Sequence, residues 1–426
     1  NTAVGYEALN QNTAANNTAV GYFALNVNTT GANNVAVGAL ALDANTTASY
    51  NTALGYASLG ANTTGQQNVA IGGEALDANT TGGDNVAVGT SALGANTTGA
   101  NNVALGSLAL NANTTASYNS ATGHHSLKLN TAGSGNAGFG SFSLQANTTG
   151  GSNTAVGYQA LDANTTADNN TAVGRDALVA NTTGSSNTAV GNYALDANTT
   201  ASNNTAVGYN SLTANTTGNA NAALGVQAGT SVTTGSANVF FGYQAGVYGT
   251  AVTTGGTNTL IGSYTSATTA DASSAVGLGH SLAAATGFTT VGHGVSDIRA
   301  QHGVATWNAV SDERYKKDIV DSTAGLSFIN ALQPRTFKYK TLGELPETFR
   351  AYEEGSTKVF KSSQTQHGFI AQEIKAAIDA DSSIKDGFRL WDERDDGSQE
   401  VGEAALIPVL VKAIQELTAR LEALES

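Results

Sequence analysis

Cysteine and methionine are absent from this chain of 426 residues, proline occurs only three times, and charged residues make up only 12% of the sequence. Without cysteine the chain can form no disulfide framework, no cysteine-ligated zinc site and no cysteine nucleophile. No run of apolar residues reaches the roughly 18 that a membrane span needs, so we expect no membrane insertion. Glycine, in contrast, is abundant, with 50 residues.

The net charge of the chain is negative, and its charged residues are unevenly distributed. The chain has 18 basic and 32 acidic residues and a net charge of −14. Because nucleic-acid binding needs a concentrated basic surface, no nucleic-acid partner is expected. Residues 1–300 hold 3 of the basic and 11 of the acidic side chains, together with 42 glycines and no proline, whereas residues 301–426 hold the remainder. Composition therefore predicts a domain boundary near residue 300.

A fixed period runs through the first part of the chain. The unit reads approximately N-T-A-V-G-Y-x-A-L-x-A-N-T-T-G-x-x, with glycines 16 residues apart once and then 17 apart as far as Gly242. Beyond Gly242 the spacing becomes 20 to Gly262, then 15 to Gly277 and 15 to Gly292. Such a period indicates stacked units that fold only by contacting their neighbours. The marking glycines before this change are Gly5, Gly21, Gly38, Gly55, Gly72, Gly89, Gly106, Gly123, Gly140, Gly157, Gly174, Gly191, Gly208, Gly225 and Gly242.

Each repeat predicts one short strand, a glycine that turns the chain, and an Asn-Thr-Thr-Gly turn. Only about three large apolar side chains occur per unit, such as Val156, Tyr158 and Leu161, so stacking must bury them. We expect columns of Leu and Val in the core, amide ladders from Asn residues at the repeat start, and a rod of about 80 Å. So thin a rung favours several chains that share one core. The first residues of the expected ladder are Asn1, Asn17, Asn34 and Asn51.

Two segments near the end of the repeats, 274–281 and 290–294, resemble the head repeats of trimeric autotransporter adhesins. The sequences are Ser-Ala-Val-Gly-Leu-Gly-His-Ser and Thr-Val-Gly-His-Gly. This resemblance implies a trimeric β-roll.

Chemistry in the repeats is sparse, and no cofactor or metal site is predicted. Four aspartates in one repeat slot could line an edge and bind cations, although solvated turn residues are the preferred interpretation. The pair His124 and His125 interrupts the regular unit, and its two side chains should point to opposite faces of a strand, which disfavours a metal role. With Lys128 and Phe142 it forms the candidate receptor patch on a rod that otherwise acts as a spacer. The four aspartates are Asp43, Asp77, Asp162 and Asp196.

The C-terminal part contains three motifs in order: Ser-Asp-x-Arg-x-Lys from Ser311 to Lys316, Gly-Phe-Ile-Ala-Gln-Glu from Gly368 to Glu373, and a terminal amphipathic helix. Together these motifs resemble the peptidase S74 intramolecular chaperone domain at the C-terminus of phage tail fibres, tailspikes and endosialidases. The resemblance implies that Ser311 is a nucleophile, that Lys316 is its dyad partner, and that the chain cleaves itself between Val310 and Ser311.

Other residues of the signature are expected to support this dyad. A lysine acts as a base only when burial or neighbouring positive charge favours its neutral amine, and Arg314 and Lys317 could supply that charge. The alternative interpretation makes Ser311 a helix N-cap and Lys316 a solvated charge. The supporting motif residues are Asp312, Arg314, Gly368, Gln372 and Glu373.

The last helix, expected at about 404–425, carries apolar residues spaced 3, 4, 3, 4 and 3, as in a coiled coil. We expect this seam to join chains into a homotrimer. An ordinary amphipathic helix packed on its own domain is the alternative. The seam residues are Ile407, Leu410, Ile414, Leu417, Leu421 and Leu424.

The predicted fold class is mostly β: a fibrous, trimeric β-roll or β-solenoid of 17-residue repeats, followed by a small α+β chaperone domain that ends in a coiled-coil helix. The repeat rod should span 1–260, 15-residue repeats 261–299, a linker with the cleavage site 300–310, and the chaperone and autoprotease domain 311–426.

The predicted function is a tail-fibre-like rod for host attachment, placed on a virion or outside the cell, whose C-terminal domain directs trimerisation and then releases itself. Its partners would be its own copies and a host surface receptor such as a glycan. A bacterial trimeric surface adhesin and an ice-binding or other surface-binding repeat protein without protease activity are the alternatives.

Overall fold

The computed structural model describes residues 1–294, 296–304, 308–309, 311, 313–381, 384, 388–394 and 397–425. Two compact units divide the chain, Asn1–Val310 and Ser311–Ser426. Among the described residues, the regular secondary structure of the first unit is all β-strand, and the second unit mixes short strands with three α-helices. The predicted β-solenoid followed by a small α+β unit with a terminal helix is thereby confirmed.

The first unit is a β-solenoid in which each turn adds one three-residue strand to a parallel sheet. Each strand pairs in register with the strand one repeat away, so that Thr171 lies beside Thr188 and Val173 beside Val190. The stacked strands are β1 Thr2–Val4, β2 Thr18–Val20, β3 Val35–Val37, β4 Thr52–Leu54, β5 Val69–Ile71, β6 Val86–Val88, β7 Val103–Leu105, β8 Ser120–Thr122, β9 Ala137–Phe139, β10 Thr154–Val156, β11 Thr171–Val173, β12 Thr188–Val190, β13 Thr205–Val207, β14 Ala222–Leu224, β15 Val239–Phe241 and β16 Thr259–Ile261.

The far end of the solenoid adds longer strands and an antiparallel edge. Strands β18 and β20 continue the parallel stack, β17 pairs with β19 in a second small sheet, and β21 and β22 follow antiparallel to the stack. Their bounds are β17 Ser266–Ala267, β18 Val276–His280, β19 Ala283–Ala284, β20 Phe288–His293, β21 Ser296–Gln301 and β22 Asn308–Ala309.

The predicted 15-residue repeats in this region are wrong. Ile261 lies beside Leu278 and Gly279 lies beside Gly292, so the last two turns contain 17 and 13 residues. Gly279 has a φ of +153°, like the turn glycines before it, whereas Gly277 pairs with the core residue Leu260. The sequence Val-Gly-Leu-Gly contains two glycines that could mark the turn. The spacing predicted Gly277, which faces the core, whereas the turn glycine is Gly279.

The turn glycine is required at every rung by its conformation and by its neighbour. Gly174, for example, has a φ of +137°, and a Cβ placed on it would lie 2.5 Å from the carbonyl oxygen of Gly191. An L-residue disfavours this backbone conformation, and any side chain would overlap the next turn. This close stacking of turns explains why glycine recurs every 17 residues in the sequence.

The core differs from the predicted columns of Leu and Val. The leucine column is buried, with Leu161 fully enclosed, but Val156 is 38% exposed and Tyr158 is 46% exposed. In a three-residue strand the first and third side chains share one face and the second takes the other. Here the central alanine, such as Ala155, points inward, so the valine must point outward.

Two asparagine columns complete the core, and their side chains replace backbone partners that the narrow turns cannot provide. In the predicted ladder, the Asn34 backbone N–H donates to Asn17 Oδ1 at 2.9 Å, and Asn34 Nδ2 donates to the Ala48 carbonyl. Amide-to-amide bonds occur in both columns: Asn45 Nδ2 donates to Asn28 Oδ1 at 2.7 Å in the Asn-Thr-Thr column, and Asn85 Nδ2 donates to Asn68 Oδ1 at 3.1 Å in the predicted ladder. These buried asparagines stabilise the interior because most of their polar groups are paired.

This core is closed within one chain. Ala36, Leu42 and Asn45 are each 0% exposed without any second copy. The expectation that several chains share these columns is wrong, because alanine, leucine and paired asparagine fill the narrow interior. The homotrimer itself stays a prediction.

In its described part, the second unit packs three α-helices and two small antiparallel sheets around an apolar core. The helices are α1 Leu326–Ala331, α2 Ala371–Ala380 and α3 Leu406–Glu425, and the strand pairs are β23 Arg335–Phe337 with β24 Gln366–Gly368 and β25 Trp391–Glu393 with β26 Gln399–Val401. The core contains Ala324, Phe328, Ile374, Ile378, Leu390, Leu406 and Val409.

Candidate functional site

The candidate dyad lies at the first residues of the second unit. A short 3-10 turn spans Glu313–Tyr315, and the Lys316 N–H closes it by donating to the Glu313 carbonyl at 2.8 Å. This turn brings the Lys316 side chain back toward Ser311, so that Lys316 Nζ lies 2.8 Å from Ser311 Oγ. The structure therefore joins the two residues that the signature predicts.

The hydrogen bond identifies what the pair can do chemically. As an ammonium, Lys316 donates to the hydroxyl; as a neutral amine, it could accept the hydroxyl proton over the same distance and release a nucleophilic oxygen. Both side chains are exposed in the single chain, as are Arg314 and Lys317. This single chain therefore places the pair within hydrogen-bond distance without burying either side chain.

Two of the predicted residues lie outside the described part of the chain. Val310, which would supply the scissile carbonyl, and Asp312 of the signature are not among the described residues. Their places relative to Ser311 stay predictions.

The second motif serves as a structural brace. Glu373, in the first turn of α2, accepts hydrogen bonds from Arg335 Nε at 3.0 Å and Arg335 Nη2 at 2.8 Å. Hydrogen bonding within this pair lowers the pKa of Glu373 and raises the pKa of Arg335. Gly368 faces Arg335 across the β23–β24 pair, and Gln372 is exposed beside Glu373. The motif thus connects α2 to β23 through the Arg335–Glu373 pair. Arg335 was not predicted from the sequence, because the residues around it contain no motif.

The terminal helix has two apolar stripes with different partners. Leu406, Val409 and Ala413 are buried against the unit itself, while Glu416 Oε2 accepts the Leu326 N–H at 2.9 Å and caps the start of α1. The predicted seam lies on other positions and is exposed in the single chain. The exposed fractions are Ile407 62%, Leu410 43%, Ile414 62%, Leu417 50%, Leu421 57% and Leu424 84%.

The seam between chains stays a prediction, and the structure bears only on the alternative interpretation of the helix. The helix does pack on its own unit, as the alternative proposed, but it does so through a stripe that the heptad analysis did not select. The seam is left without a partner in the described structure of a single chain.

The candidate receptor patch is a cluster of rings. His124 and His125 stack with ring centroids 3.8 Å apart, and Phe142 stands edge-on to both at 5.5 Å. The expectation that the two histidines point to opposite faces is wrong, because they occupy a turn in which His125 has a φ of +59°. Burial lowers the pKa of His125, and the nearby charge of Lys128 lowers it further.

The ring contacts continue past the predicted patch. Phe142 contacts Tyr158 edge-on at 5.8 Å, and the Arg175 guanidinium lies 5.8 Å from the Tyr158 ring and 5.9 Å from the Tyr193 ring. These residues follow the turn glycines by one or two positions, which is a signal that aligning the repeats could have revealed.

The repeated aspartates are half-buried between turns instead of solvated. Burial raises the pKa values of Asp43, Asp77 and Asp162. Asp196 Oδ1 accepts a hydrogen bond from Thr213 Oγ1 at 2.5 Å. Within the described residues, no group of three or more His, Asp or Glu side chains is arranged to hold a metal ion.

These observations define a class of protein: a β-solenoid followed by a small unit whose first residues include a Ser–Lys pair. The sequence model of the Peptidase S74 family, described as chaperone of endosialidase, matches residues 311–381. The match begins at Ser311 and includes Lys316, Arg335 and Glu373, and it confirms the resemblance predicted for this segment.

The match covers the first 71 of the 116 residues of the C-terminal unit and none of the solenoid. Neither the curated proteins nor the solved structures contain a significant match to the chain. No helix within the described ranges is long and apolar enough to cross a membrane.

Proposed function

We propose that this chain is a tail-fibre-like rod for host attachment whose C-terminal unit assembles the chains and then cuts itself off. In this proposal the solenoid is the lasting product and the second unit is a folding aid used once. The single observation that carries the proteolytic part is the 2.8 Å contact between Lys316 Nζ and Ser311 Oγ at the first residue of the second unit.

Assembly comes first and uses the seam of α3. Six apolar side chains at coiled-coil spacing are exposed on a helix whose other stripe is already buried. Packing three such helices together would remove these side chains from water and fix the number of chains. Long parallel stacks of near-identical turns can pair one repeat out of register, so an assembly that begins at one end protects the rod from misfolding.

Cleavage follows when assembly covers the dyad. A neighbouring chain over Lys316 would exclude water and favour its neutral amine. The amine takes the Ser311 hydroxyl proton, and Oγ forms a bond to the Val310 carbonyl carbon. The Lys316 ammonium returns the proton to the Ser311 nitrogen, which leaves as an amine as the Val310–Ser311 peptide bond breaks. Water then hydrolyses the ester to give a Val310 carboxylate and a free Ser311 hydroxyl.

Host attachment is assigned to the solenoid. The ring cluster at His124, His125 and Phe142, with Lys128 beside it, is the proposed receptor contact, and a surface glycan is the proposed ligand class. A virion or extracellular location accompanies this assignment. The proposal leaves out the ice-binding alternative, because the first Thr hydroxyl of the Asn-Thr-Thr pairs bonds the next turn, as Thr29 Oγ1 does with the Thr46 carbonyl at 3.0 Å.

The test is the fate of freshly expressed full-length protein. We expect wild type to yield two fragments, one beginning at Ser311 by N-terminal sequencing and intact mass. Ser311→Ala and Lys316→Ala should each remain whole and fold, with cleavage slowed at least about a hundredfold. Lys338→Ala is the matched control, since Lys338 is also an exposed lysine of the second unit and has no role in the dyad or its supporting charges; it should cleave like wild type.

Two outcomes contradict the proposal separately. If no fragment ever begins at Ser311, the protease assignment fails. If a chain that lacks 311–426 still gives the same soluble, ordered rod, the chaperone assignment fails.

A further inference from the structure

The outward face of the solenoid sheet is uncharged, and one of its two columns of side chains is apolar at almost every rung. The third residue of each parallel strand points away from the core, and at all positions but Thr122 it is Val, Leu, Ile or Phe in the stack from β1 to β16. Leu54, Phe139 and Leu224 are 46%, 44% and 45% exposed. The first strand residue, which shares this face, is Thr, Val, Ala or Ser.

The same face is free of charge. None of the residues in β1 to β16, β18 or β20 is Asp, Glu, Lys or Arg. The charged residues of the repeats, such as Asp43, Lys128 and Arg175, all lie in the turns and connecting segments. Charge returns at Asp297 and Arg299 of the antiparallel strand β21, where the parallel stack ends.

This pattern differs from that of a sheet designed to face water. An antiparallel or edge sheet exposed on one side normally alternates apolar and polar residues, and isolated proteins rarely expose more than a few hundred Å² of continuous apolar surface. The whole strand face, which combines the apolar column with the column of Thr, Val, Ala and Ser, is about 10 Å wide and about 80 Å long, or roughly 800 Å². One chain of a standard protein interface contributes about that area.

We propose that this face, the outward side of β1 to β16, β18 and β20, is where a second copy of the chain packs alongside the solenoid. The partner must be as long as the rod and equally uncharged along one side, and another copy of this chain meets both conditions. Strand addition is not the mode of contact, since the strand backbones are already paired with the turns above and below. The contact is made by side chains, face against face.

This inference rests on the proposed homotrimer and deepens it. It adds the rod to the α3 seam as a site of contact between chains. Each chain keeps its own closed core of Ala, Leu and Asn, and association covers only the outer apolar columns. The rod then remains associated after its C-terminal unit has been released.

The absence of cysteine allows a clean test in the full-length chain, held whole by Ser311→Ala. Leu224→Cys places one thiol on the proposed face. Thr217→Cys places one on an exposed connecting segment seven residues earlier, and it is the matched control. With a short bismaleimide crosslinker, we expect covalent oligomers from Leu224→Cys in at least tenfold higher yield than from Thr217→Cys.

A second set of variants examines the face without thiol chemistry. Val173→Glu, Val190→Glu and Val207→Glu put three carboxylates on consecutive outward positions while leaving the core columns untouched. In the Leu224→Cys chain they should remove the crosslink, and circular dichroism should show that the solenoid is still folded.

The outcomes separate this inference from the proposed function. A trimer mass in light scattering together with equal crosslinking of the two cysteines would overturn the sheet-face contact and leave assembly through α3 standing. A monomer mass for the full chain would overturn both. An undiminished crosslink in the triple Glu variant would also reject the proposed face.

Discussion

The two units of this protein achieve order in opposite ways. In the solenoid, one set of contacts is repeated at every turn: a glycine against the next carbonyl, a buried Ala and Leu, and two paired asparagines. In the C-terminal unit each contact occurs once, as with the Arg335–Glu373 pair and the Glu416 cap on α1. Because its contacts repeat, the solenoid can be predicted from the sequence, but its near-identical turns can also pair out of register. Contacts that occur once define a single arrangement, and no sequence pattern predicts them.

The largest difference between the units should come from glycine. Gly174→Ala would place a methyl group 2.5 Å from the Gly191 oxygen at a φ of +137°, and we expect a loss of at least about 3 kcal/mol in local stability. Gly368→Ala is the comparison in the second unit, where the nearest atom lies 3.5 Å from the new Cβ. It should cost under about 1 kcal/mol. Hydrogen exchange by mass spectrometry measures both variants, and equal losses would refute the contrast.

A smaller effect should come from the buried asparagines. Asn85→Ala removes the acceptor of the Asn102 N–H, which would stay buried without a partner. It also removes one of the two donors to the Gly99 carbonyl, which keeps its hydrogen bond from Asn96 Nδ2. The expected cost is about 1–3 kcal/mol. Asn219, which accepts the Ser202 N–H at an exposed site, provides the control. If Asn219→Ala destabilises the rod as much as Asn85→Ala, burial does not determine how much these hydrogen bonds contribute to stability.

The smallest effect is a response to acid of opposite sign in the two units. Burial raises the pKa values of Asp43, Asp77 and Asp162, so the folded rod binds protons more readily than the unfolded chain and gains stability as the pH falls through those raised values. Hydrogen bonding to Arg335 lowers the pKa of Glu373, so its contribution is lost as the pH falls from its ordinary range near 4 through the lowered value.

Hydrogen exchange followed from pH 6 downward checks this prediction, after correction for the intrinsic exchange rate. Protection of the rod should rise by about tenfold or less, and protection of β23 and α2 should fall. Glu373→Gln should reduce the loss of protection in β23 and α2 as the pH falls. Parallel loss of protection in both units would contradict the assignment.

Sequence patterns predicted the features that repeat. The glycine period located the turns, the alternation within Thr-Ala-Val located the strands, and the signature from Ser311 located the residues that the structure joins at 2.8 Å. The terminal helix, expected at about 404–425, was found at Leu406–Glu425.

The incorrect or missing predictions had two causes. The sequence does not show which face of a strand points inward, and some residues contact partners that are far away along the chain. Alternation shows that Ala155 and Val156 face opposite ways but not which one faces inward, because the handed turn at Gly157 decides it. The choice between Gly277 and Gly279 needed the pairing of whole strands. Arg335 and Glu416 act on partners 38 and 90 residues away, so no local pattern could identify them.

The glycine contact also makes the rod extensible in whole steps. Since every 17-residue turn presents the same upper and lower surfaces to its neighbours, a duplicated or deleted turn between β2 and β14 leaves two faces that still match. Each such event would change the reach of the rod by about 4.8 Å without creating a new fold. Slippage between repeated stretches of the coding DNA could therefore adjust how far the protein extends, one rung at a time, while the 20- and 13-residue turns near its end stay fixed in number.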